Sequence, residues 1–329
     1  MTRFRAVVAG AVLVAAFATM AESAGPYGPN VEVVADLIGC SGPDRARLLA
    51  GELVYLRAPT PPLLEAAATI VEASPETIML VMRRGDLFHA NRRVLASDEI
   101  PAGPLDHTSL GSLSIPATEL RHLPGADPHS DWNLSVTEAA LLRDSAKRDG
   151  AQAIAMVVRH ILAERTSAYR SGGPRAMAPY AREGGAAFSP GAALADLWTP
   201  FEKLDVLAPG VYSALAGYPR TAAVDLHHSF YWSVVDADGR SSVVLSHLAE
   251  SSKEAYALTV ERELFVSRAY AVRQTVFGAA DLTDGRAIAF YASSSSAVGS
   301  STQPVTASGE RSDVENVFED LRGISPLAK

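Results

Sequence analysis

Residues 226–293 constrain this chain more than any other stretch, because they alternate like strands and are punctuated like hairpins. Leu226 to Val235 and Arg240 to Leu248 are rich in aromatic and β-branched side chains, and the Asp236-Ala237-Asp238-Gly239 link offers a glycine able to take positive φ in a tight turn. Alternation puts His228, Phe230, Trp232 and Val234 on one face and His227, Ser229, Tyr231 and Ser233 on the other. After a polar Ser251-Ser252-Lys253-Glu254 turn the pattern resumes over Ala255 to Arg268, then Tyr270 to Phe277, and after Asp284-Gly285 over Arg286 to Tyr291. Four or five antiparallel strands in a meander are expected, and such a sheet needs covering on one face.

The N-terminus reads as a secretory signal peptide over residues 1–23: Arg3 and Arg5, an apolar run from Ala6 to Phe17, and small residues at Ala21 and Ser23. The apolar run is shorter than the roughly 20 residues that span a bilayer. A Leu37-Ile38-Gly39-Cys40 stretch has the letters of a lipoprotein box but follows Glu32 and Asp36, well beyond the apolar region. Net charge is −8, and loss of a leader carrying two arginines and one glutamate would make it −9. An acidic balance argues against nucleic-acid binding. One cysteine cannot close an internal disulfide, so 329 residues must rely on their apolar core, and a periplasmic or secreted location is the expectation.

Residues 24–62 read as an N-terminal extension with apolar bursts at Val31 to Ile38 and Leu48 to Leu56. Leu64 to Val71 is strand-like, Ser74-Pro75-Glu76 opens a short helix through Arg84, and Asn91 to Ile100 could return as a strand. Residues of about 130–220 read as helical. Ser135 with Glu138 forms a capping box, and after Gly150 the residues Ile154, Val157, Val158, Ile161 and Leu162 share one face. The 174–190 stretch reads as a loop, with shorter helices at Ala192 to Leu197 and Val211 to Ala216 and breaks at Trp198-Thr199-Pro200 and Tyr218-Pro219. The Ser/Ala/Gly tract from Ser293 to Ser301 reads as a flexible or surface loop. Beyond it Ser312 caps a helix in which Val314, Val317, Phe318 and Leu321 make an amphipathic stripe.

A strand ending in a small residue, Ser74-Pro75-Glu76 opening a helix, an Asp86-Leu87-Phe88 turn, a return strand and then the meander resembles the START-like helix-grip superfamily. That resemblance implies an α+β fold in which an antiparallel meander grips a C-terminal helix around an apolar cavity. The domain would span 63–329, interrupted by a helical insertion at about 130–220 that an ordinary member lacks.

Catalytic signals are sparse. His227 or His228 could face His247 on the partner strand and, with Asp225, make a metal set, although adjacent strand residues point to opposite faces. Asp106-His107 with Ser109 and Ser112 lacks a nucleophile elbow, and His122 and His129 lie in a loop without ligand spacing. Glu261 and Glu263 share a strand face, where they would ordinarily be solvated. No phosphate loop or haem-attachment motif points to a cofactor.

The expectation is therefore an exported protein that binds an apolar small molecule or lipid without chemistry. Its wall would be Phe230, Trp232, Val234, Leu245, Phe265 and Phe277, with His228, His247 or Arg268 fixing the polar head. The alternatives are a hydrolase or cyclase-like enzyme using a histidine of the 227–247 hairpin, and an envelope protein whose insertion contacts a protein partner.

Overall fold

The computed structural model describes residues 29–57, 63–84, 94–125, 132–220, 225–237, 239–268, 270–282, 284–296 and 308–324. In chain order the elements are α1 (Pro29–Leu37), α2 (Gly42–Leu49), β1 (Val54–Arg57), β2 (Leu63–Val71), α3 (Pro75–Arg84), β3 (Val94–Glu99), α4 (Ala117–His122) and α5 (Val136–Gly172). They continue with β4 (Tyr180–Ala181), β5 (Ala187–Phe188), α6 (Pro190–Trp198), α7 (Leu204–Leu207) and α8 (Val211–Ala216). Then come β6 (His227–Ala237), β7 (Arg240–Lys253), β8 (Tyr256–Val266), β9 (Arg273–Asp281), β10 (Ala287–Ser295) and α9 (Ser308–Arg322).

Eight strands form one antiparallel sheet in the order β1-β2-β10-β9-β8-β7-β6-β3. The expected meander is its central run of five consecutive hairpin-linked strands. This is an α+β fold in which a large antiparallel sheet carries a C-terminal helix on one face and the helical insertion on the other.

Register shows how the period of two serves both faces. Leu56, Ala66, Ala292, Val276, Val260, Ala249 and His228 line up across seven strands on one face. Most of that row is apolar, and α1, α2 and the 198–215 helices cover it with Val34, Ile38, Leu48, Trp198, Phe201 and Leu204. Farther along the same face, α5 lies over Phe230, Trp232, Leu245 and Phe265. On the opposite face α3 and α9 meet β2, β9 and β10: Met82, Val314, Phe318 and Leu321 are fully buried against Ala67, Phe277, Ala289 and Tyr291. The alanines on the sheet let α9 sit close, and the i, i+3, i+4, i+7 spacing of its apolar residues is the stripe expected of a docked helix.

The insertion begins where the capping box places it. The Ser135 hydroxyl accepts from the Glu138 amide at 3.2 Å, and the Glu138 carboxylate accepts from the Ser135 amide at 2.7 Å. The helix does not break at Gly150 but runs 37 residues to Gly172, since the core contacts made on either side of that glycine, by Leu142 and Ile154 among others, outweigh the cost of about 1 kcal/mol for one interior glycine. The 174–190 stretch carries the small β4–β5 hairpin rather than an unstructured loop.

Three further expectations are revised. The segment assigned as an N-terminal extension builds α1, α2 and the edge strand β1, and its Val34, Ala35, Ile38, Leu48 and Val54 are fully buried in the shared core. The serine tract opens inside β10, where Ser293, Ser294 and Ser295 are buried and pair with Thr275, Gln274 and Arg273. Glu261 and Glu263 are buried as well: the Ser246 hydroxyl donates to Glu261 at 2.7 Å and the Tyr270 hydroxyl to Glu263 at 2.5 Å. A sequence cannot show that this strand face is covered. The proposed leader, the Asp86-Leu87-Phe88 turn and His129 lie outside the described residues.

Candidate functional site

β6 and β7 pair with Phe230 opposite His247 and His228 opposite Ala249, so the two histidines are diagonal neighbours on the face that α5 covers. His228 Nδ1 and His247 Nε2 are hydrogen-bonded at 2.9 Å, and His247 Nδ1 is hydrogen-bonded to the Tyr169 hydroxyl at 3.1 Å. Tyr169 comes from the last turns of α5, on the stripe that carries Ile161 and Leu162, and is fully buried, as is His247. Aromatic rings enclose the chain. Phe230 stacks on His247 at 4.7 Å between centroids, and the Tyr218 ring lies 4.7 Å from His247, 5.1 Å from Tyr169 and 5.4 Å from His228.

Tyr218 reaches this position because the backbone of α8's exit meets the end of α5 at Gly173. A Cβ at Gly173, whose φ is +64°, would stand 2.1 Å from the Tyr218 carbonyl oxygen. Arg170 closes the near side, its guanidinium 4.4 Å from the Phe230 ring centroid and donating to the carbonyls of Ile100 and Pro101. Arg262 lies opposite His247 on β8 and donates to Gln274 Oε1 at 3.0 Å and to the Leu215 carbonyl at 2.7 Å, fastening α8 to the sheet. His228, Tyr218 and Arg170 remain partly exposed, and together they form the mouth of the site.

Burial governs the electrostatics. It holds His247 well below the ordinary imidazole pKa, with the Arg262 charge acting in the same direction, and it lowers His228 too, aided by His227. It pushes the Tyr218 phenol up to about 12 and raises Tyr169. Both imidazoles are therefore neutral at pH 7, each with one donor and one acceptor nitrogen. When the Tyr169 hydroxyl donates to His247 Nδ1, His247 Nε2–H donates to His228 Nδ1, and His228 Nε2–H becomes a donor. Reversing the polarity makes His228 Nε2 an acceptor. No hydrogen bond to a described residue occupies that nitrogen. The arrangement can present either a donor or an acceptor at the mouth and can move a proton along the chain.

The remaining expected site residues divide. Trp232 and Phe265 are buried in the same core as Phe230, where Tyr180 meets Phe265 edge-on at 6.3 Å and the Arg165 guanidinium lies 4.8 Å from its centroid. Protein side chains thus meet this aromatic wall. Phe277 faces α9 on the opposite side of the sheet. Arg268 is not near the histidines: it donates to Glu119 at 2.6 Å beside Trp132. His227 points away from His228 and lines a rim cavity of about 610 Å³ with Arg83 and Glu250. Asp225 pairs with Lys253 at 3.5 Å, and among the described residues no group of three or more His, Cys, Asp or Glu is placed to hold a metal. Asp106 closes its own loop, accepting from Thr108 and Ser109, which lower its carboxyl to about 2.

Sequence reasoning found the two histidines and Phe230 but missed Tyr169, Tyr218 and Arg170. Extending the α5 stripe by seven residues from Leu162 reaches Tyr169, a signal that was present. Nothing local marks Tyr218 beyond the Tyr-Pro break. Comparison with protein-family models, curated proteins and solved structures finds no match for this chain.

Proposed function

We propose that this is an exported protein that binds an apolar small molecule or lipid and reads its polar head at the mouth formed by His228, Tyr218 and Arg170, without chemistry. Export is supported by Arg3, Arg5 and the apolar run that follows them. One observation carries the binding reading: a partly exposed imidazole whose inner nitrogen is fixed by a buried partner and whose flank is aromatic. A few fixed polar groups set among rings are how small-molecule sites orient a ligand. With Phe230 met by Tyr169 and Arg170, Phe265 by Arg165 and Tyr180, and Trp232 buried in the same core, the ligand is assigned to the mouth rather than to a hollow behind that wall.

The unbroken Tyr169–His247–His228 chain favours a second reading, an acid–base enzyme in which His228 exchanges a proton with its substrate. Native mass spectrometry of the protein purified from its own envelope, with organic extraction of the same sample, tests both. A co-purifying molecule lost in His228→Ala, with the melting temperature held, supports binding. Conversion of that molecule by the wild type but not by His228→Ala supports the enzyme. Equal retention in the folded variant would remove the mouth from consideration.

A further inference from the structure

We propose a second ligand site, separate from the histidine chain, that takes a small organic oxyanion with an apolar or aromatic body. It lies where the last turn of α4 faces the β6–β7 turn, around a cavity of about 760 Å³ lined by Arg121, His122, Trp132, Arg240 and Arg268, with Glu119 at its base. That volume is within the range of roughly 300–1,000 Å³ typical of small-molecule pockets.

The charge of the lining opposes that of the chain. Three arginines meet one glutamate, giving a formal +2 with His122 neutral, in a protein whose net charge is −8. Glu119 is buried and engaged by Arg268 at 2.6 Å, with side-chain exposures of 8% and 10%, so this pair is the fixed base of the cavity. Arg240 lies 3.6 Å from the same carboxylate but its side chain is half exposed, and Arg121 makes no ion pair to a described residue. Their donors are available to a ligand.

Three independent elements hold the cations in place. Gly239, at φ +78°, donates its amide to Asp236 Oδ1 at 2.7 Å and so fixes the turn that presents Arg240. Arg121 and His122 belong to α4, and Arg268 follows β8. Guanidinium forks match the geometry of carboxylate and phosphate oxygens, and a basic concavity in an acidic protein concentrates anions locally. Trp132 and Leu123 supply the apolar wall, which is why the ligand is an organic anion rather than a bare ion.

Calorimetric titration of the full chain at low salt with phenyl phosphate, inorganic phosphate and phenol tests the assignment. The expected result is that phenyl phosphate binds more tightly than either fragment. Arg240→Ala should weaken it about tenfold or more, as for one charge-assisted hydrogen bond, with Arg240→Lys intermediate. Glu119→Gln should strengthen binding by removing the competing carboxylate, and Glu119→Asp keeps the site measurable if that variant folds poorly. His228→Ala should leave the affinity unchanged, which separates this site from the one at the mouth. Absence of phenyl phosphate binding, affinity indifferent to Arg240→Ala, or equal binding of phosphate and phenyl phosphate would each overturn the proposed ligand class.

Discussion

His228 and His247 meet as diagonal neighbours across the β6–β7 pair, Nδ1 to Nε2 at 2.9 Å, each with its pKa held below the ordinary value. This relationship makes stability depend on pH. Below the unfolded value of about 6.5 the unfolded chain takes up protons on both imidazoles while the native chain resists, so the unfolded state binds more protons and stability falls as pH falls. The contribution is fully present above about pH 6.5 and is lost progressively below it. Urea midpoints between pH 7.5 and 5 should decrease for the wild type and decrease less for His247→Asn. Identical slopes for the two proteins would show that the histidines do not titrate in this way.

Tyr169 holds the buried end of the chain, 78 positions from His247 in sequence. Tyr169→Phe keeps the ring stack on Tyr218 but removes the hydroxyl, leaving His247 Nδ1 without its partner in a site with no exposed surface. The expected cost is about 1–3 kcal/mol, the penalty for one buried unsatisfied polar group. A double-mutant cycle with His247→Asn should recover much of it as coupling. Additive losses would mean that the hydroxyl and the imidazole act separately.

The sheet was legible because alternation and turn glycines are local. Gly239, for example, takes the positive φ that its turn asks for. The α5 start was legible for the same reason, since the Ser135–Glu138 box is complete within four residues. What the sequence conceals is the covering of each face. Glu261 and Ser293 read as solvated or looped because their letters are polar, yet they occupy one register row, with Thr275 between them, on a buried face. Strand pattern alone puts Arg268 with the histidines, whereas its partner Glu119 arrives from 149 residues away. Tyr218 is fixed by a backbone approach to Gly173 that no spacing rule encodes.

That approach is itself testable. Gly173→Ala would set a Cβ 2.1 Å from the Tyr218 carbonyl oxygen, a backbone atom that cannot rotate away. The loss should be on the order of 3 kcal/mol from strain and overpacking together. Gly184, at φ +70° with nothing within 4 Å of its ideal Cβ, supplies the comparison. Gly184→Ala should cost only the left-handed backbone term of about 1–2 kcal/mol. Melting temperatures report the difference, and the His228 and His247 imidazole resonances should shift in Gly173→Ala alone as Tyr218 moves. Equal destabilisation by the two variants would indicate that φ, and not the contact with Tyr218, sets the requirement for glycine at 173.

Glu138 serves two structures at once. Its carboxylate accepts from the Ser135 amide at the start of α5, and it receives Arg165 on both oxygens, Nε at 2.8 Å and Nη2 at 2.6 Å. The side chains of Arg165 and Glu138 are only 6% and 15% exposed, so surface screening does not weaken the pair. Removing the carboxylate strands a buried guanidinium that also lies over the Tyr180 and Phe265 rings. Glu138→Ala is therefore expected to cost about 3–5 kcal/mol, as for one partner taken from a buried ion pair. Ser135→Ala, which loses only the cap, should cost about 1 kcal/mol, and Glu138→Gln should fall between them because it retains an acceptor for the Ser135 amide. Denaturant unfolding of the three variants gives the ranking. If Glu138→Ala proved no worse than Ser135→Ala, the pair with Arg165 would be contributing nothing beyond the cap.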